Sequence, residues 1–162
     1  MIVFSWTVSI RARRYHGVFR FFAFESILVL VLLNAEWWFR DPLSIRQLIS
    51  WSLLLASIIL PIHGFILLNK VGKPQGQMEE TTKLIEVGFY KYIRHPMYSS
   101  FILMGPGAFL KHVSFLTAAL VVIVITSAYL TAKVEEKELI EKFGDDYVQY
   151  IKRTKMFIPF LF

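Results

Sequence analysis

Residues 18–39 read VFRFFAFESILVLVLLNAEWWF. As a helix this run of about 22 residues reaches about 33 Å, enough to cross a hydrocarbon core of about 30 Å. Arg20 lies near its start and can snorkel to an interface, while Trp37 and Trp38 stand where an aromatic belt belongs. Glu25, about one turn beyond Arg20, is read as a shielded ion-pair partner or a near-interface carboxylate instead of a catalytic group, because a carboxylate in lipid is expensive unless it faces the bundle. Arg40, Asp41 and Pro42 then break the run. The rest of the chain has the same character: 56% of its 162 residues are hydrophobic and only 19% charged, against about 45–50% and about 25% in a soluble domain. This composition implies an all-α, polytopic membrane protein forming a single domain over residues 1–162, and excludes a disordered chain, which needs low hydrophobicity.

Working outward, residues 45–68 give a second span kinked by Pro61, with His63 placed to satisfy the interrupted backbone. Residues 97–110 are apolar but short and interrupted by Gly105-Pro106-Gly107, and residues 113–132 return as a fourth apolar run. The expected architecture is about four transmembrane helices in two hairpins, followed by an amphipathic cytoplasmic helix in the tail. Residues 18–68 form the first hairpin and residues 69–162 the remaining core. All 18 lysines and arginines except Arg40, Arg46 and Lys111 fall on one side of this topology. Lys and Arg favour the cytoplasmic side, so both termini and the polar segments are expected there, in a multi-pass protein. The apolar opening MIVFSWTVSI has its charges behind it rather than in front; it is read as lying along the interface and not as a secretory signal.

Absence of cysteine excludes disulfides, thiolate metal sites and a catalytic thiol. The histidines at 16, 63, 95 and 112 show no metal-ligand spacing, so no metal is expected. The net charge of +6 flanks apolar runs instead of forming a basic face, which points to the lipid bilayer as partner and away from nucleic acid.

Chemistry is therefore sought in residues 69–95 and in the tail from Lys133. Pro96 opens the third span: proline suits a first helical position, so His95 falls at the N-cap and the following amides form an anion site at the membrane surface. His95-Pro96 could equally do no more than start a span, with Arg94 marking its cytoplasmic side. Glu135 and Glu136 follow the fourth span. They either complement the dipole of a following helix or, beside Arg94 and His95, hold the cationic or hydroxyl groups of a charged cofactor.

Taken together the pieces Gly88-Phe-Tyr90, Arg94-His95-Pro96-Met97-Tyr98, Glu135-Glu136-Lys-Glu-Leu139, Phe143-Gly144-Asp-Asp-Tyr147, Tyr150 and Pro159 resemble the isoprenylcysteine carboxyl methyltransferase family over roughly residues 70–160. The wider superfamily includes enzymes that methylate phospholipid amines and small thiols. The resemblance implies S-adenosyl-L-methionine as cofactor, with contacts at Gln75, at Thr82, Lys83, Leu84 and Ile85, at Tyr90, at His95, Pro96, Met97 and Tyr98, and at Glu135. It implies catalytic roles for Arg94, Glu135 and Glu136. Where Thr82 stands the family motif often has histidine. At Thr131, a position implied to bind substrate, the prenylcysteine enzymes carry an arginine that meets the acceptor carboxylate.

The function this resemblance implies is carboxyl O-methyl transfer to a lipophilic acceptor, in which a dry site favours the neutralisation of charge and the protein mainly positions the reactants. An amine or small-molecule thiol acceptor is the alternative favoured by Thr131, with Glu135, Glu136 or His95 as base. A non-catalytic membrane scaffold is the alternative of another class. The aromatic residues of the spans, Phe101, Phe109 and Phe115 among them, are read as packing.

Overall fold

The computed structural model describes residues 17–73 and 82–160. The opening segment, Gln75 and the basic residues Arg11, Arg13 and Arg14 lie outside the described residues. Among the described residues five α-helices follow in order: α1 (Gly17–Leu33), α2 (Ile45–Leu67), α3 (Pro96–Phe109), α4 (Phe115–Phe143) and α5 (Asp145–Arg153). Among the described residues there is no β-sheet, only an isolated parallel bridge between Ile93 and Lys155.

Local chemistry sets the helix starts. Ser44 caps α2 by accepting the Gln47 amide, and Ser114 and Thr117 exchange hydrogen bonds in a capping box at the start of α4. Pro61 stays inside α2, and the last turn before Lys73, Leu68–Gly72, widens to a π-helical turn. α1 ends at Leu33 instead of running on to Phe39, because Asn34 turns inward and donates 2.7 Å to Ala108 O at the far end of α3. The largest departure is at α4. Its helix does not stop at Ala132 but continues to Phe143, so Glu135 and Glu136 sit mid-helix. No helix N-terminus is there for them to complement, which removes the dipole account of the pair.

Packing follows a different order from the sequence. α3 packs mainly on α2 and then on α4, while α1 packs on α4 and only lightly on α3. α1 and α2, expected as a packed hairpin because their connection is short, thus find their partners elsewhere. Small residues permit the close approach: a Cβ at Gly107 would stand 3.0 Å from Leu54 Cγ. The same end of α3 is clasped by polar groups. Ser50 Oγ donates 2.6 Å to Gly107 O. Buried Gln47 donates to Trp37 O and Arg40 O, each at 2.9 Å, and accepts from Lys111 Nζ at 2.7 Å. Lys111 is fully buried with its ammonium 3.8 Å over the Trp51 ring, and burial pushes its pKa down from the ordinary lysine value.

The outer surface is that of a membrane protein. Two helices, Ile45–Gly72 and Phe115–Phe143, are long and apolar enough to cross a bilayer. Ile49, Leu55, Ile58, Ile59 and Ile62 of α2 all point outward, where water would penalise them and lipid would not. α1 and α3, at about 25 Å and about 21 Å, are shorter than a straight crossing.

Replacing Ser50 with alanine leaves a buried carbonyl at Gly107 without its side-chain donor. The expected loss is about 1–3 kcal/mol, read as a lower thermal midpoint in detergent; an unchanged midpoint would show that the clasp contributes nothing.

Candidate active site

The site begins at Gly88, whose φ of +60° is one that side chains rarely adopt. A Cβ there would also lie 2.4 Å from His63 Cε1, so the turn requires glycine twice over. The tight turn Gly88–Lys91 stacks Phe89 edge-on against His63 and buries Tyr90, whose carbonyl accepts Tyr150 Oη at 2.6 Å. His63 therefore buttresses this turn from α2, with its Nδ1 lacking a hydrogen-bond partner among the described residues.

From Tyr92 the chain runs alongside the returning tail. Lys155 N donates to Tyr92 O (2.9 Å), Arg94 N to Lys155 O (2.8 Å) and His95 N to Met156 O (3.1 Å). Pro96 then starts α3 as its first residue. The bridge seats Met156 and Phe157 in a core with Tyr98, Ala128 and Ala132.

Arg94 ties the elements together. Its Nε is 2.6 Å from Glu136 Oε1, while Nη1 donates to Thr154 O (2.6 Å) and Ile151 O (3.3 Å) at the end of α5. One guanidinium thereby joins α4, α5 and the start of α3. His95 is buried between the two carboxylates, with Nδ1 3.7 Å from Glu135 Oε2 and Nε2 3.6 Å from Glu136 Oε1. Among the described residues Nε2 has no hydrogen-bond partner. Tyr98 Oη donates to Glu135 Oε1. Beyond the apolar part of α4, burial tends to raise the Glu136 carboxyl, but the adjoining His95 and Arg94 outweigh it and hold the group at about 2. Burial pushes the phenols of Tyr90, Tyr147 and Tyr150 up, so they remain hydrogen-bond donors.

These groups border a cavity of about 490 Å³. Of the residues selected from the sequence, Lys83, Leu84, Ile85 and Tyr90 line it from one side of the motif. Arg94, His95, Pro96, Met97, Tyr98 and Glu135 line it as well. Three selected residues do not. Thr82 donates its hydroxyl towards Gly72 O and Lys73 O, closing the connection out of α2. Glu136 lies behind the wall, held by Arg94 and by Lys133 at 3.5 Å. Thr131 is buried and back-bonded to Ser127 O at 2.7 Å, so its hydroxyl is engaged within α4 and does not reach the cavity.

The cavity also draws on residues that the sequence reading passed over. Arg20 and Phe24, one turn apart on α1, form part of the wall, as do Pro61 from α2 and Leu68 from the π-helical turn that follows it. Glu138 and Lys142 join Glu135 at i+3 and i+7, one face of the uninterrupted α4. That spacing was the available signal, and the expectation that the span stops at Ala132 hid it.

A family profile described as "Phospholipid methyltransferase" matches residues 45–146. The chain belongs to this phospholipid methyltransferase family. It is 29% identical to Methanethiol S-methyltransferase 1 of Bradyrhizobium diazoefficiens over 95% of this chain and 58% of the relative. It is 27% identical to Protein-S-isoprenylcysteine O-methyltransferase B of Arabidopsis thaliana, over 80% of this chain and 64% of the relative. The Saccharomyces cerevisiae Protein-S-isoprenylcysteine O-methyltransferase is 32% identical over 61% of this chain and 40% of the relative. The chain thus spans about six-tenths, or less, of the length of these curated relatives. Membership of the phospholipid methyltransferase family bears out the resemblance read from the motifs. Among the described residues no group of three His, Asp or Glu stands ready to hold a metal.

The two neighbouring glutamates should separate in their effects. Glu136→Ala leaves Arg94 buried without its counter-charge and should cost about 3–5 kcal/mol of stability. Glu135→Ala, at the cavity wall, should cost much less; equal losses in thermal unfolding would contradict the division between a structural and a cavity-facing carboxylate.

Proposed function

We propose that the chain is a membrane methyltransferase that uses S-adenosyl-L-methionine, with four helices crossing the bilayer and both ends of the chain and the cavity on the cytoplasmic side. The observation carrying this reading is that residues chosen from the motif alone, from Lys83 through Tyr90 and His95 to Glu135, border a single cavity. The cofactor's donor groups fit what is there. Glu135 suits a cationic or hydroxyl group, Lys83 and Lys142 suit a carboxylate, and Leu84, Ile85 and Met97 suit an apolar or aromatic portion. Buried His95, whose Nε2 lies 3.6 Å from Glu136 Oε1 and has no hydrogen-bond partner among the described residues, is a further polar group at the cavity wall.

When bound, S-adenosyl-L-methionine supplies an electrophilic methyl group on a sulfonium. The chain's part is to hold the acceptor in line, to keep water out and to receive a proton where the acceptor has one. Glu135, linked to Tyr98 and beside His95, is the carboxylate on the cavity wall suited to that proton. Glu136 is unsuited, since Arg94 and His95 keep it ionised as a fixed counter-charge.

For the acceptor the geometry favours a small or lipophilic thiol. A carboxylate acceptor needs a cation. Thr131 offers none, Arg94 is already engaged by Glu136 and by two carbonyls of α5 and the tail, and Lys83 and Lys142 are assigned to the carboxylate of the cofactor. A second reading, a lipophilic carboxylate of isoprenylcysteine type, is supported by Arg20, which stands in the cavity wall.

Methyl-labelled S-adenosyl-L-methionine offered to the reconstituted chain should transfer label to a small alkyl thiol. The rate should rise between pH 7 and 9, because an alkyl thiol is a weaker acid than the cysteine side chain, itself at about 8.5, and its thiolate fraction grows over that range. Label on an isoprenylcysteine carboxylate, at a rate flat over that range and lost in Arg20→Met, establishes the second reading instead. No transfer to either class by the folded chain contradicts the transferase reading.

A further inference from the structure

A second concavity, of about 510 Å³, lies on the other side of α3. Ser99, Ile102 and Leu103 line it, whereas Met97, Phe101 and Met104 line the first. At 100° per residue these are opposite faces of one helix. The segment before α3 divides in the same way: Phe89 and Ile93 face the second concavity, Tyr90 and His95 the first. We propose that this groove binds one anionic phospholipid, its acyl chain against α2 and α3 and its headgroup on Lys91 and Lys155.

The lining is almost wholly hydrocarbon. Its inner hydroxyl, Ser99 Oγ, is already placed 2.8 Å from Phe157 O and 3.0 Å from His95 O, and the other hydroxyl of the lining belongs to Tyr92 at the exposed mouth, so no group in the inner groove calls for water. Leu60, Ile102 and Leu103 supply the inner part from the apolar helices, and Tyr92 and Phe160 the exposed mouth. At that mouth stand the exposed Lys91, whose Nζ lies 5.8 Å over the Tyr92 ring, and the exposed Lys155, paired through the backbone with Tyr92. Arg153, nearby in sequence, is neutralised by Glu86 at 2.6 Å. A groove of hydrocarbon ending in two lysines matches a lipid chain ending in a phosphate, and charge selects an anionic headgroup over a zwitterionic one. The occupant would brace the bridge between Ile93 and Lys155, which positions Arg94 and His95 from behind.

The test is native mass spectrometry of the full chain after exposure to equal amounts of phosphatidylglycerol and phosphatidylcholine with matched acyl chains; its readout is independent of methyl transfer. One retained lipid per chain is expected, with phosphatidylglycerol preferred about tenfold. Lys91→Glu combined with Lys155→Glu should bring the two lipids to parity, while Lys70→Glu combined with Lys137→Glu, an equal charge change elsewhere, keeps the preference. Leu103→Trp should expel the lipid. In parallel, phosphatidylglycerol should raise the thermal midpoint of the parent and not of the Lys91/Lys155 variant, a comparison that stands even if Leu103→Trp fails to fold. Equal retention of the two lipids, loss of preference in both double variants, or a lipid-free dimer overturns the proposal.

Discussion

The Arg94–Glu136 pair is the contact on which the site depends. It is nearly sealed from solvent, with 9% and 7% of the two side chains exposed. A buried charge is tolerated only when its partner and its remaining hydrogen-bonding groups are met. Here the guanidinium meets that demand by capping the end of α5 through Ile151 O and Thr154 O. The tail is thereby fixed beside residues 92–95, and the backbone bridge follows. His95, adjacent to Arg94, is left between Glu135 and Glu136. The charge pair fixes the backbone on which His95 borders the cavity.

The opposite end of the bundle uses the same physics with different residues. Asn34, Gln47 and Ser50 satisfy the carbonyls where α1 and α3 stop and the connections begin, and Lys111 in turn donates to the Gln47 side chain. Trp51 covers the lysine that would otherwise be the costliest of the four. Short helices can then end within the bundle without orphaned backbone groups, and α3 can serve as the shared wall between the cavity and the groove.

Much of this was legible in the sequence because its signals are local. Apolar runs announced the helices, Pro96 marked the start of α3, and the spacing from Gly88 to Tyr98 carried the family resemblance. What was not legible depended on continuity and on long-range partners. Nothing local to Ala132 and Lys133 tells that the helix runs on to Phe143, because the change from apolar to charged residues marks the membrane surface and not the helix end. The place of Arg20 in the cavity wall depends on α1 packing against α4 across most of the chain. Thr131, where the resemblance implies a substrate contact, is turned inward by the rotation of α4 and bonds within its own helix.

The most direct test of the account is equilibrium binding of labelled S-adenosyl-L-methionine to the purified chain and to Glu135→Gln, because it needs no knowledge of the acceptor. The account predicts saturable binding by the parent, weakened about tenfold or more in the variant by loss of a charge-assisted contact. A folded parent that binds none, or a variant that binds as tightly as the parent, would contradict it.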